Sequence, residues 1–217
     1  MAKRRPLTRE RVLQTAVRLA DERGVAELTM RKLAKELGVE AMSLYHHVAN
    51  KDDLLDGMID IVFSEIDAPA ADGDWKAELR TRATSTRAAL LRHRWAVGEM
   101  EGRTEHGPAS LRIHDAVLGC LLGAGFSDEM AVHAYSVQDA YIYGFALQQT
   151  DMSSQTPEDF AAVARKQMDA YREALADYPN LVRVVGAHVA TVGYDYDAEF
   201  LFGLDVILDG LERLLVS

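Results

Sequence analysis

Apolar positions recur at helical spacing along almost the whole chain. Val12, Leu13, Ala16, Val17, Leu19 and Ala20 form the first stripe, with Thr8 placed to cap its start and Gly24 to end it. Thr29 then stands before a second stripe of Leu33, Ala34 and Leu37, which Gly38 closes. Val39 restarts the pattern, and Leu44, Tyr45 and Val48 carry it through a second short segment. Asn50 is the next cap, with Asp52 and Asp53 in the positive first turn of a helix that runs to Ile66. After the loop Ala68-Pro69-Ala70-Ala71-Asp72-Gly73, a fifth helix is predicted from Trp75 to about Arg94. Gly102 to Pro108 reads as loop, followed by a helix through Leu111, Val117, Leu118, Leu121 and Leu122 that Gly123 and Gly125 end. Ser127 caps a helix to about Gln149, and the polar stretch Thr150–Pro157 is expected to be mobile. The next helix is predicted to end near Asp177, where Tyr178-Pro179-Asn180 stops it. Val182–Val192 is a short, weakly patterned segment, and the last helix covers Asp197 to Leu215. With no strand pattern and no internal repeat, the fold class is all-α.

The segment from Thr29 to Lys51 carries the most information. A helix, a three-residue turn with glycine and a short second helix have the spacing of a helix-turn-helix, whose second helix enters the DNA major groove. Here Thr29, Arg31, Leu33, Ala34, the Leu37-Gly38-Val39 turn, Ser43-Leu44-Tyr45, His47-Val48, Asn50-Lys51 and Leu54-Leu55 together resemble the TetR family of bacterial transcriptional regulators.

Charge sharpens this picture. The net charge of −10 is unfavourable for a DNA binder until it is divided. Residues 1–51 hold eleven Lys/Arg against six Asp/Glu, a surplus of +5, and the rest of the chain carries −15. Phosphate attraction is screened over a Debye length of roughly 8–10 Å, so a basic head on an acidic body can still bind DNA. We therefore expect a DNA-binding head over 1–51 and a helical body for effector binding and dimerisation over 52–217. A chain of 217 residues with 48 % apolar composition supports such a core. No apolar run approaches a membrane span and no signal peptide is evident, so the expected compartment is the cytoplasm. Cys120, the sole cysteine, lies among leucines and reads as a buried core thiol. G-x-S-x-G, H-E-x-x-H and P-loop motifs are absent, which argues against an enzyme and against a cofactor.

The resemblance implies roles for particular residues. Tyr45, His47 and Lys51 stand at phosphate-contacting positions, and Thr29 resembles a phosphate-contacting cap. His46 replaces what is often an aromatic residue. Arg31 can fork onto guanine, while Ala41, Met42 and Ser43 stand where the family reads bases. His46 and His47 project about 100° apart on a helix, a poor chelate, so no metal site is expected. The body looks like the tetracycline-responsive branch. In that branch a His ends the fourth helix, Asn and Phe lie on the fifth, and a His near the sixth binds drug-chelated magnesium. At those positions this chain has Asp67, Arg82, Thr86 and Met100, so a magnesium–tetracycline effector is not expected. Asp67, Arg82 and Thr86 remain candidate ligand contacts, and Trp95, Ile113, Val117, Tyr135, Gln138, Asp139 and Tyr143, with Met100, are candidates for a mostly apolar pocket. Two helices read as dimerisation surfaces, one carrying Ala140, Tyr141, Gly144 and Phe145, the other Phe200, Leu204, Ile207, Leu208 and Leu211. The expected partners are an operator, a small organic effector and a second copy of the chain. The alternative is a DNA-binding or protein-interaction module that responds to no ligand.

Overall fold

The computed structural model describes residues 6–100, 107–149, 156–171 and 173–215, and among these there is no strand. The all-α expectation holds. Helix α1 (Arg9–Arg23) starts at Thr8, whose hydroxyl accepts from the Arg11 amide, and stops at Gly24 with φ +81°. Helix α2 (Met30–Leu37) starts at Thr29, which accepts from the Lys32 amide, and ends at Gly38 in the left-handed conformation. Helix α3 (Ala41–Leu44) is one turn long and α4 spans Lys51–Ser64, capped by Asn50 through the Asp53 amide. In this head the buried stripe of α1 packs against α2 and α4. Gly57 permits the close approach of α4, since a Cβ there would stand 2.7 Å from a Leu13 methyl carbon.

Helix α5 (Trp75–Arg92) stops short of Arg94, and a separate short helix α6 (Ala96–Met100) follows. Pro108 begins α7 (Pro108–Gly123) rather than ending a loop, as its fixed φ suits a first helical position. Ser127 caps α8 (Asp128–Gln149) through the Met130 amide. The remaining loop positions predicted at 102–106 and 150–155 lie outside the described residues. Thr156 and Asp159 form a reciprocal capping box at the start of α9 (Pro157–Ala170), which ends before the predicted Asp177. Pro179 does not stop a helix. It opens α10 (Pro179–Val184), continued by a wider turn over 185–189 and by α11 (Ala190–Val192). The last helix, α12, is Tyr196–Leu215.

The chain divides into two compact units, one of residues 1–147 with 213–217, the other of 148–212. The reading head lies in the first of these units, together with α4–α7 and most of α8. In the second unit Arg165 donates to the Ala190 carbonyl at 2.6 Å, joining α9 to α11. Phe160, Tyr194 and Tyr196 cluster with ring centroids 4.8–6.0 Å apart, the two tyrosines edge to face and Phe160 tilted against both.

Candidate nucleic-acid interface and effector site

The head sorts its residues by face. Leu33, Ala34, Leu37, Leu44 and Val48 are buried, which fixes α3 against α2 and leaves the other side to solvent. On the accessible side are Thr29, Arg31, Met42, Tyr45, His46 and Lys51, all exposed, with Ala41, Ser43 and His47 half-buried among them. Tyr45 was expected to continue the apolar pattern, but its ring is 45 % exposed. Tyr45 keeps right-handed helical geometry but stands about 100° round the turn from buried Leu44, so it projects outward instead of into the core. Met42 is 73 % exposed, an unusual state for a large apolar side chain and one suited to contact with a base edge.

Three polar links tie this head to the helices behind it. Arg9 on α1 donates to the His47 carbonyl at 2.8 Å and pairs with Asp53 on α4 at 2.5 Å. The guanidinium holds the Asp53 carboxyl below its usual range. At the far end of α1, Asp21 Oδ1 accepts from Trp95 Nε1 at 2.7 Å and lies 2.8 Å from His93 Nδ1. The other ring nitrogen of His93 is 3.1 Å from Glu65, just past α4, and Arg92 donates to the same carboxylate at 2.5 Å. Both His93 contacts are hydrogen bonds only when both ring nitrogens carry protons, as in imidazolium. Trp95, assigned from sequence to the pocket of Tyr135, thus belongs to this junction. It lines a cleft of about 510 Å³ with Asp21, Gly24, Val25, Arg92 and Arg94. No spacing signal pointed to Asp21, His93 and Glu65, which are remote in sequence and come together only through the packing of α1, α4 and α5.

A second polar cluster lies deeper. Tyr135, Gln138, Asp139 and Tyr143 occupy one stripe of α8, and Arg82 on α5 lies against it. Arg82 and Gln138 have no exposed surface. Arg82 Nη2 stands 2.7 Å from Asp139 Oδ1 in a buried ion pair, and its guanidinium carbon is 5.7 Å from the centre of the Tyr135 ring. Burial opposes the Arg82 charge, but Asp139 and the two phenols outweigh it and raise its pKa. Burial, and then the charge of Asp139, pushes both Tyr135 and Tyr143 well above the usual phenol range. Phe63 on α4, His114 on α7 and Tyr135 form an edge-to-face chain at 5.6 Å per step. Thr86, Ile113 and Val117 are fully buried. Thr86 spends its hydroxyl on the Arg82 carbonyl. Met100 is half-buried at the end of α6, whereas Asp67 is exposed and its amide donates to Ser85. The sequence assignment is thus partly gathered here, without Trp95 and with Asp67 facing solvent. Unpaired buried polar atoms cost roughly 1–3 kcal/mol each, so this cluster is poorly satisfied by the protein alone.

The apolar surfaces also separate by face. Phe200, Leu204, Leu208 and Leu211 are buried inside the single chain and Ile207 is half-buried, so the predicted α12 interface is in large part protomer core. The exposed side of α12 carries Leu201, Phe202, Val206 and Leu214 instead. On α8, Ala140 is exposed, Tyr141, Gly144 and Phe145 are half-buried, and the space beside Gly144 is open. Cys120 is buried, as expected.

Comparison with known proteins finds one family match over the reading head and another over the helices that follow it. Residues 12–58 match the model of bacterial regulatory proteins of the tetR family, and residues 68–215 match the tetracyclin repressor-like C-terminal domain. The chain is 37 % identical to the HTH-type transcriptional repressor DrrR1 of Streptomyces coeruleorubidus, over 97 % of this chain and 79 % of that protein. It is 33 % identical to the class A tetracycline repressor of Escherichia coli, over 98 % and 93 % of the two chains. Among solved structures, Streptomyces coelicolor ActR in complex with actinorhodin superposes with a TM-score of 0.79 at 31 % identity, covering 98 % of this chain and 100 % of that one. An exposed basic reading head before a helical body, and family matches over both parts, make this chain a DNA-binding transcriptional regulator that belongs to the TetR family.

Proposed function

We propose that the protein is a repressor that binds a (pseudo)palindromic operator as a symmetric homodimer and is released by a small organic ligand held between α5 and α8. The observation that carries this reading is the pairing of an exposed reader face on α2–α3 with a buried, unsatisfied polar cluster, both attached to α4. Tyr45, Lys51, His47 and the Thr29 cap hold phosphates, Arg31 and Met42 with Ala41 and Ser43 read bases, and His46 flanks them. Support comes from relatives named as repressors and from ActR, whose structure contains actinorhodin. Magnesium–tetracycline is not the proposed effector, because Arg82 and Asp139 close an ion pair where that branch offers an amide. The residues for dimerisation are the accessible parts of α8 around Ala140, Tyr141, Gly144 and Phe145 and the outward side of α12. The compartment is the cytoplasm, and among the described residues no helix is long and apolar enough to cross a membrane.

The coupling runs through α4. Its start is held to the reading head by Arg9 and Asp53, its last turn touches the effector cluster through Phe63 and His114, and Glu65 just beyond it meets His93. A ligand that favours a shifted α4 lowers operator affinity, and by reciprocity operator lowers ligand affinity. A hundredfold loss needs about 2.7 kcal/mol of coupling. The test is selection of an operator from random duplex DNA, followed by gel-shift titration with candidate ligands, with and without a chelator. Ligand-dependent release that survives the chelator is expected. Release by tetracycline, or only with magnesium, overturns the effector assignment.

A further inference from the structure

The polar atoms between α5 and α8 are unbalanced in kind. Nε and Nη1 of Arg82 and Nε2 and Oε1 of Gln138 are sealed from solvent without a hydrogen-bond partner, whereas Arg82 Nη2 and the Tyr135 hydroxyl both turn to Asp139. The unpartnered nitrogens carry more donor hydrogens than the one Gln138 oxygen can accept. Asp139 offsets Arg82 and the neighbouring phenols stay neutral, so among the described residues this cluster carries no surplus charge, and its preference is set by the excess of donors. Tyr135, Asp139 and Tyr143 are half-buried, so the cluster reaches the protein surface along this stripe of α8. The Phe63–His114–Tyr135 chain supplies a firm aromatic wall beside that stripe.

We infer that the effector is a molecule rich in oxygen acceptors, carbonyl or carboxylate, whose oxygens bond Arg82 and Gln138 and complete a polar cluster that the protein leaves open. This rests on the reading of the α5–α8 cluster as the effector site. Binding supplies the acceptors that the folded chain lacks, so affinity depends on those oxygens more than on apolar bulk. A ligand of the same shape without them leaves the same donors unpaired and is rejected, as sites built around buried polar groups reject analogues that lack the partner.

The test uses the full-length protein with matched probes, anthraquinone-2-carboxylate, anthracene-2-carboxylate and 2-(aminomethyl)anthracene, followed by calorimetry. Affinity is expected to fall in that order, by roughly tenfold or more between the first two. Removing Arg82 alone strands Asp139 in the interior, so the variant is the paired Arg82→Met/Asp139→Leu, with Gln138→Leu as a second. Because these changes remove unsatisfied groups, the melting temperature of the free protein should stay the same or rise. Discrimination among the probes should vanish. Equal binding of the three probes by the wild type, binding of none, or a marked fall in melting temperature in both variants overturns the inference. Operator release by a molecule without oxygen acceptors, undiminished in the paired variant, sinks the acceptor class but leaves a ligand-relieved repressor standing. An operator complex indifferent to every ligand sinks that broader reading instead.

Discussion

Tyr45 shows how one side chain can serve contact rather than stability. With 45 % of its surface exposed, it contributes less to the core than the buried Leu44 beside it. Tyr45→Ala should lower the melting temperature by only several degrees, leaving the protein folded, but weaken binding to all duplex sequences and flatten the salt dependence, as loss of a phosphate contact does. Arg31→Ala should instead relax discrimination at particular base pairs, read by competition with single-substitution operators. If both variants kept full operator affinity and selectivity, the head assignment would be wrong. Cys120 is the opposite case. Burial first, then the charges of Glu78 and Asp74, pushes its thiol up to about 11. The thiolate is the reactive form, so alkylation at neutral pH should be slow in the native protein and fast in denaturant.

Among the elements, α4 concentrates the links between reading head and effector cluster. Its cap is one Asn50 Oδ1 accepting from the Asp53 amide at 2.8 Å, and Asn50→Ala should cost about 1 kcal/mol in denaturant unfolding. Its acidity sets a pH response. Burial raises the pKa of Glu65, but Arg92 and His93 outweigh it, so the folded value lies below the ordinary 4.5. Asp53 lies below its ordinary 3.8 through Arg9. Depressed carboxyls stabilise fully above their unfolded pKa and lose that contribution as pH falls through the folded value. Stability should therefore decline with acidification below about pH 4.5, and Glu65→Gln with Asp53→Asn should flatten that slope in unfolding titrations between pH 6 and 3. Caps such as Thr8, Thr29, Asn50 and Ser127 were legible in the sequence because capping is local chemistry within three residues. The split of the fifth helix at His93 and the start of α10 at Pro179 were not. The former depends on carboxylates 72 and 28 positions away, and a proline can end one helix or begin the next. Of the effector cluster, the α8 stripe could be read from periodicity, whereas the departure of Trp95 to Asp21 could not.

For the whole molecule, the decisive question is which apolar residues face a second copy. Leu204 is fully buried within one chain, so Leu204→Glu should unfold the protomer and give insoluble protein, not a clean monomer. Phe202, 69 % exposed on the same helix, separates folding from assembly. Phe202→Glu should keep native helicity and sediment as a monomer at micromolar concentration. A stable dimer of that variant would exclude this side of α12 from the interface. The junction at Asp21 has a different consequence. A single carboxylate oxygen serves both the indole of Trp95 and the imidazole of His93, so loss of Asp21 leaves both buried rings with an unmet bond, and loss of either ring strips the oxygen of one of its two partners. Their contributions are interdependent, and a cycle of single and double substitutions should depart from additivity. Across descendants of this regulator, Asp21, His93 and Trp95 should accordingly be inherited or exchanged as a set. The effector-contacting residues of α5 and α8, which answer to whatever ligand each descendant meets, are free to diverge one by one.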